Sequence, residues 1–160
     1  MKRFACLFLF AVFLLAGCSR GLLFDPPPTP TADPRRLMGT GWGLVEMNGR
    51  ALLPDSEVTL YFHAQIEGKA SCNFYKADYS TTADQFQVLD SFYSITVMGC
   101  YPKELMDQEN TYWGILTKAA KDGPLKYQID PSVQPEELRF LDQDGNTLLR
   151  HRALERYSDE

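Results

Sequence analysis

The chain has 160 residues, 44% of them hydrophobic, 12% aromatic and 23% charged. That composition excludes a disordered tail, a coiled coil and a multispan membrane protein, and one domain is the default at this length. Sixteen basic residues stand against 21 acidic ones, for a net charge of -5, so nucleic acid is excluded as a partner for want of a basic footprint.

Lys2 and Arg3 form a positive n-region, and Phe4 to Ala16 is an unbroken apolar run of thirteen residues. A spanning helix needs about 20, whereas a signal-peptide core needs fewer. Leu15-Ala16-Gly17-Cys18 resembles the lipobox of bacterial lipoproteins. The resemblance implies cleavage after Gly17, a diacylglycerol thioether and further acylation (palmitate or its like) at Cys18, and a membrane partner through that anchor. Two or more chains give durable anchoring where one is marginal. The alternative is an ordinary secretory signal whose cleavage site happens to contain Cys. Ser19 follows the cysteine instead of Asp, which by analogy with lipoprotein sorting implies the outer membrane, with the domain facing the periplasm.

Residues 19–36 read as a tether. Asp25 to Pro34 holds five prolines in ten residues, which removes backbone donors and favours polyproline II. Such a tether reaches at most roughly 55 Å. Leu22, Leu23 and Phe24 either lie on the bilayer or form a strand docked on the domain. The expected organisation is therefore a signal peptide at 1–17, the lipidated Cys18 and tether at 18–36, a folded domain at 37–154 and a tail at 155–160.

From Leu37 onward the pattern is mostly of period two. Trp42 to Met47, Asn48-Gly49 and Arg50 to Leu53 predict a hairpin, because Asn-Gly suits a type I′ turn. Glu57 to His63 alternates, with Val58, Leu60 and Phe62 on one face and Thr59, Tyr61 and His63 on the other. Further strands are expected at Gly68–Tyr79, Gln85–Leu89 and Ser94–Met98, then at Leu125–Ile129, Glu137–Leu141 and Thr147–Ala153, the last two joined by a tight turn over Asp142–Asn146. Pro102 to Ala120 differs. Leu105, Met106, Tyr112, Trp113, Leu116, Ala119 and Ala120 make a stripe of helical spacing, and Asp122-Gly123-Pro124 ends it. The order is about five strands, one helix and three strands. It predicts a mainly β fold: a small antiparallel barrel of about eight strands covered by a single amphipathic helix. The alternative is an open sheet with the helix on one face.

Several segments in order resemble the META/HslJ-like domain. They are Leu37-Met38-Gly39-Thr40 with Trp42, Leu44 and Asn48-Gly49, then Gly68 to Asn73 followed by Tyr75 and Tyr79, then Thr96-Val97-Met98-Gly99-Cys100. Glu109, Tyr112 and Leu116 fall on the family's helix pattern, and Leu138, Phe140, Asp142, Gly145 and Leu148 on its closing hairpin. Ser71 stands where the family usually has a second Gly, and Gly41 is inserted before Trp42. The resemblance implies a compact barrel-like β fold with one helix, no established catalysis and no cofactor. It also implies links to heat-shock or antibiotic tolerance.

The residues offer little for catalysis or metal binding. His63 falls on the solvent phase of its strand and His151 lies between Arg150 and Arg152, so both are expected at the surface. Neither a nucleophile elbow nor a His-Glu-x-x-His run occurs. Gly39 to Gly43 precedes a strand, so it lacks the helix N-terminus of a phosphate loop. Asp142 to Asn146 has too few spaced ligands for calcium. The aromatic residues either fill a barrel or line a cavity for a small hydrophobic ligand. An envelope protein partner, as for an inhibitor or assembly pilot, is the other alternative.

Two expectations concern single sites. Glu109 falls in the middle of the apolar stripe, where a carboxylate needs donors. It is read as a strut to backbone N–H groups, Asn73, Thr96 or an arginine such as Arg139, the rival being a perturbed acid at a ligand site. Cys6 leaves with the signal peptide and Cys18 is lipidated, so Cys72 and Cys100 remain to pair in an oxidising compartment. Both belong to segments that match the family. The alternative is two buried free thiols.

Overall fold

A computed structural model describes residues 28–154, without the side chains of 90–94 and 118–122. The signal peptide, Cys18, most of the tether and the tail at 155–160 lie outside the described residues.

The strands are β1 (Thr40–Met47), β2 (Arg50–Ala51), β3 (Thr59–Phe62), β4 (Ile66–Ala70), β5 (Asn73–Thr81), β6 (Gln85–Ile95), β7 (Leu125–Asp130), β8 (Glu137–Leu141) and β9 (Thr147–Ala153), with α1 (Lys103–Asp122) between β6 and β7. Each strand pairs antiparallel with its neighbour in the order β2-β1-β3-β4-β5-β6-β7-β8-β9, and β1 pairs again with β9. That last pairing, Trp42 opposite Ala153 through Met47 opposite Leu149, closes eight strands into a barrel, with β2 appended to β1. Closure removes the unpaired edges that an open sheet would present.

Local chemistry accounts for the turns. Asn48 and Gly49 take φ 50° and 74°, the two left-handed positions of a type I′ turn. In the β8–β9 turn the Asp142 carboxylate accepts from the backbone N–H of Asp144 and of Asn146 at 3.0 and 2.8 Å and from Asn146 Nδ2 at 2.9 Å. The acidic loop is thus consumed by its own turn.

Two strand assignments and one burial differ from expectation. Gly68–Tyr79 is not one strand, because the chain reverses at Ser71-Cys72 and Ala70 pairs with Asn73. Gln85–Leu89 and Ser94–Met98 are the two halves of one long strand that stops at Ile95. His151 is buried and not at the surface. In β9 the residues alternate, so Leu149 and His151 point inward while Arg150 and Arg152 point out.

Trp42, Phe62, Phe86, Tyr112, Tyr127 and Phe140 are fully buried and fill the interior. Phe86 lies tilted against Phe140 at 4.9 Å and meets Phe62 edge-on at 6.0 Å. Each such ring contributes on the order of 1.5–3 kcal/mol by leaving water. The Trp42 indole N–H finds its acceptor in Thr40 Oγ1 at 2.6 Å. Gly41, out of step in sequence, lies under the Tyr61 ring: a Cβ there would fall 2.6 Å from Tyr61 Cε1.

The two ends of the barrel are closed differently. At the end of β1, β4 and β6, α1 packs chiefly against β6 and lays Tyr112, Ile115 and Leu116 on the core. At the opposite end the incoming chain does the work. Thr31 exchanges backbone hydrogen bonds with Ile129 at 2.9 and 2.7 Å, Leu37 is buried, and Arg36 pairs with Glu136 at 2.8 Å.

Candidate functional site

The β4–β5 reversal is tight. Ser71 has φ 69° and the Cys72 N–H donates to the Ala70 carbonyl at 2.9 Å, the pattern of a strained γ-turn. The N–H groups of Cys72 and Asn73 at this turn also open toward α1. Glu109 supplies the acceptors. Its Oε2 receives the Asn73 N–H at 2.7 Å and the Cys72 N–H at 3.2 Å, and its Oε1 receives Asn73 Nδ2 at 2.8 Å. Glu109 is only 4% exposed, so these charge-assisted bonds replace hydration.

Asn73 passes the connection on. Its Oδ1 accepts from Thr96 Oγ1 at 2.9 Å and from the Met98 N–H at 2.7 Å, and Nδ2 also reaches the Met98 carbonyl at 3.3 Å. Thr96 Oγ1 in turn accepts the Phe74 N–H at 3.0 Å. Cys72 and Cys100 are joined as a disulfide with their Cα atoms 5.9 Å apart. Five residues singled out in the sequence therefore meet in one place: Glu109, Asn73, Thr96, Cys72 and Cys100. Arg139 is elsewhere, bound to Asp130 and Glu137 on the outer face.

Gln108, one position before Glu109, was missed. It is buried, accepts the Leu53 N–H at 2.8 Å, and donates to Ser71 Oγ at 2.7 Å and to Ser56 Oγ. Adjacent helix residues point 100° apart, so the pair reaches the β2–β3 loop and the β4–β5 turn at once. Its signal in the sequence was its place beside Leu105 and Tyr112 on the inner side of α1.

This polar cluster is built to hold segments together. The Glu109 oxygens face N–H donors. The ligating atoms of Cys72, Cys100 and Glu109 lie within 4.8 Å of one another, but sulfurs bonded to each other are not the thiolates that bind a metal.

A second buried chain runs deeper. Tyr75 OH donates to the Thr59 carbonyl at 2.8 Å and meets Tyr112 OH at 3.2 Å, and Tyr112 OH lies 3.5 Å from His151 Nε2. Burial raises both phenols well above their ordinary range. Burial also pushes the His151 imidazole down to about 3, opposed only by a backbone interaction with Leu138. Above its ordinary value of 6.5 the ring is neutral folded and unfolded, and its contribution does not change with pH. Between 6.5 and about 3 the unfolded chain binds a proton that the folded one refuses, so stability falls as pH falls. His151→Gln should flatten that acid limb by up to roughly 1.4 kcal/mol per pH unit. Urea midpoints at pH 4, 5 and 7 test this: parallel pH profiles for variant and parent would place the titration elsewhere.

The polar cluster also fixes what faces solvent. On the loop pinned by the disulfide and Asn73, Val97 is 94% and Tyr101 96% exposed, with Phe74 beside it at 58%. This loop lies at the helix-capped end, whereas the N-terminal segment enters at the other.

A closed, filled, antiparallel barrel with a helix across one end and a pinned apolar loop beside it defines the class of protein. The META domain family model matches residues 35–155, and the chain belongs to that family. Among curated proteins none matches. Two solved structures share the fold. One, the NMR structure of a protein from Burkholderia xenovorans, is 20% identical with a TM-score of 0.58, over 81% of this chain and 92% of that one. The other, also solved by NMR, is 18% identical with a TM-score of 0.53, over 75% and 93%.

Proposed function

We propose that the protein is a non-catalytic lipoprotein of the bacterial envelope, anchored through Cys18 to the outer membrane, whose periplasmic domain acts as a binding module in envelope maintenance or stress tolerance. The observation that carries this reading is the polarity of the domain. The chain from the anchor enters at the Ile129 end, and the pinned apolar loop with Val97 and Tyr101 stands at the end away from it. A tether on one side and a prepared surface on the other suit a module that holds something at a distance from the bilayer. The filled interior argues against the carrier alternative, since the largest aromatic side chains occupy the space a hydrophobic ligand would need.

Anchoring is tested by Cys18→Ser. The variant is expected to accumulate as an unprocessed precursor that takes up no labelled palmitate, while the parent is cleaved, labelled and recovered with outer-membrane fractions. Normal cleavage and soluble release of the variant would mean an ordinary signal peptide and overturn the anchor.

A further inference from the structure

The outer surface of β3, β4 and β5 carries an open cleft of about 690 Å³. The strand register arranges its side chains in two rows. Tyr61, Glu67 and Lys76 stand opposite one another in one row, and Lys69 and Phe74 are opposite in the next. With strands about 4.8 Å apart and rows two residues apart, Tyr61 and Phe74 mark corners about 12 Å from each other.

The charges between these corners are matched. Lys69 pairs with Glu57 at 3.2 Å and Lys76 with Glu67 at 3.6 Å. That balance rules on ligand class. A phosphate or polyanion finds each cation already neutralised by a carboxylate. A lipid chain would have to strip water from four charged groups, at a cost its own burial does not offset. A peptide adding as a strand finds no edge, because β3, β4 and β5 are each paired on both sides. An uncharged, hydroxyl-rich ligand meets none of these obstacles. Its apolar C–H faces can lie on the exposed Phe74 ring and the half-buried Tyr61 ring, while its hydroxyls donate to Glu and accept from Lys without disturbing either pair.

We infer that this cleft is a binding site for a neutral oligosaccharide, seated between Tyr61 and Phe74 over the two ion pairs. The assignment gives the binding-module reading a ligand class and rests on it. Phe74 is the residue to remove, since its exposed ring contributes little to the fold and much of its surface would be covered by a sugar.

Isothermal titration of the full chain in detergent with chitotriose and maltotriose, and with inorganic phosphate as the charged control, tests it. The expected result is saturable binding of at least one trisaccharide, no competition by phosphate, and an affinity at least about tenfold weaker in Phe74→Ala at an unchanged melting temperature. No binding of either sugar up to about 10 mM, equal affinity in the variant, or displacement by phosphate would overturn the assignment. Its failure is separable from that of the envelope reading. A null titration alongside an unprocessed Cys18→Ser precursor sinks the sugar alone, and a cleaved, soluble Cys18→Ser variant sinks the anchor whatever the titration shows.

Discussion

Gly68→Ala is expected to destabilise the domain by about 4 kcal/mol, at the upper end of what one added methyl does to a packed interior. Gly68 does not need a left-handed backbone; it needs empty space. A Cβ there would fall 2.0 Å from the Thr59 carbonyl oxygen, 2.8 Å from its carbon and 3.0 Å from the Tyr75 hydroxyl. The first two are backbone atoms of β3, which cannot swing aside as a side-chain tip can. Relief means parting β3 from β4, and the Tyr75 bond to Thr59 is lost in the same movement. The Tyr75 hydroxyl then loses its acceptor in a water-free interior, where an unmet polar group costs about 1–3 kcal/mol, and Tyr112 keeps only the 3.5 Å contact with His151. Gly99→Ala is the control, since nothing lies within 4 Å of a Cβ at that position. Urea unfolding of both variants checks the claim. A Gly68→Ala midpoint indistinguishable from that of Gly99→Ala would mean that the two strands do not approach so closely.

Glu109→Ala should cost about 3 kcal/mol, because it removes one acceptor group from three N–H bonds in a buried site. The loss is uneven. The Cys72 N–H keeps the Ala70 carbonyl and Asn73 Nδ2 keeps that of Met98, so the largest loss falls on the Asn73 backbone N–H, whose 2.7 Å bond to Oε2 is the shortest of the three. Glu109→Gln retains one carbonyl acceptor and should cost less than the alanine variant. Glu109→Leu should also cost less if water reaches the donors. Coupling to Asn73→Ala distinguishes a network from independent contacts: the double variant should fall short of the sum of the single ones by about 1 kcal/mol or more. Equal melting temperatures for parent, Ala and Gln forms would show a carboxylate facing solvent.

These residues also show what a single sequence discloses. Glu109 was legible because a carboxylate on an apolar stripe contradicts its surroundings, and a contradiction of that kind has few physical solutions. The hairpin at Asn48-Gly49 and the turn at Asp142 were legible because their chemistry is local. The reversal at Ser71-Cys72 was hidden for the opposite reason. Ala70-Ser71-Cys72-Asn73 contains no pair that favours a turn, and the bend is held by Glu109 and Gln108 from far along the chain. Residues 90–93 fall between two expected strands, yet pairing with β5 resumes at Tyr93 opposite Ala77 after a bulge. His151 was misplaced by reading its sequence neighbours as its spatial ones. Alternation from Leu149 puts it inside, and the flanking arginines belong to the other face, where Arg150 bridges Glu46 and Glu137 at 2.7 and 2.9 Å. Ile115 was left off the helical stripe although it packs on the core. Gln108 escaped because a polar side chain satisfied by three distant groups looks, in one dimension, like any surface glutamine.

The seam between β1 and β9 has a bearing on how the chain acquires its structure. It joins the first strand of the domain to the last, and the bridge from Thr31 to Ile129 spans nearly as far. Contacts between such distant segments are slow to form, because the intervening chain must be brought together before any of them is rewarded. A polypeptide emerging from a ribosome therefore cannot close the barrel until its C-terminal strand is available. For a chain proposed to leave the cytoplasm through a narrow conduit, that delay is useful. It keeps the polypeptide threadable during passage and postpones closure to the compartment where Cys72 and Cys100 can be oxidised.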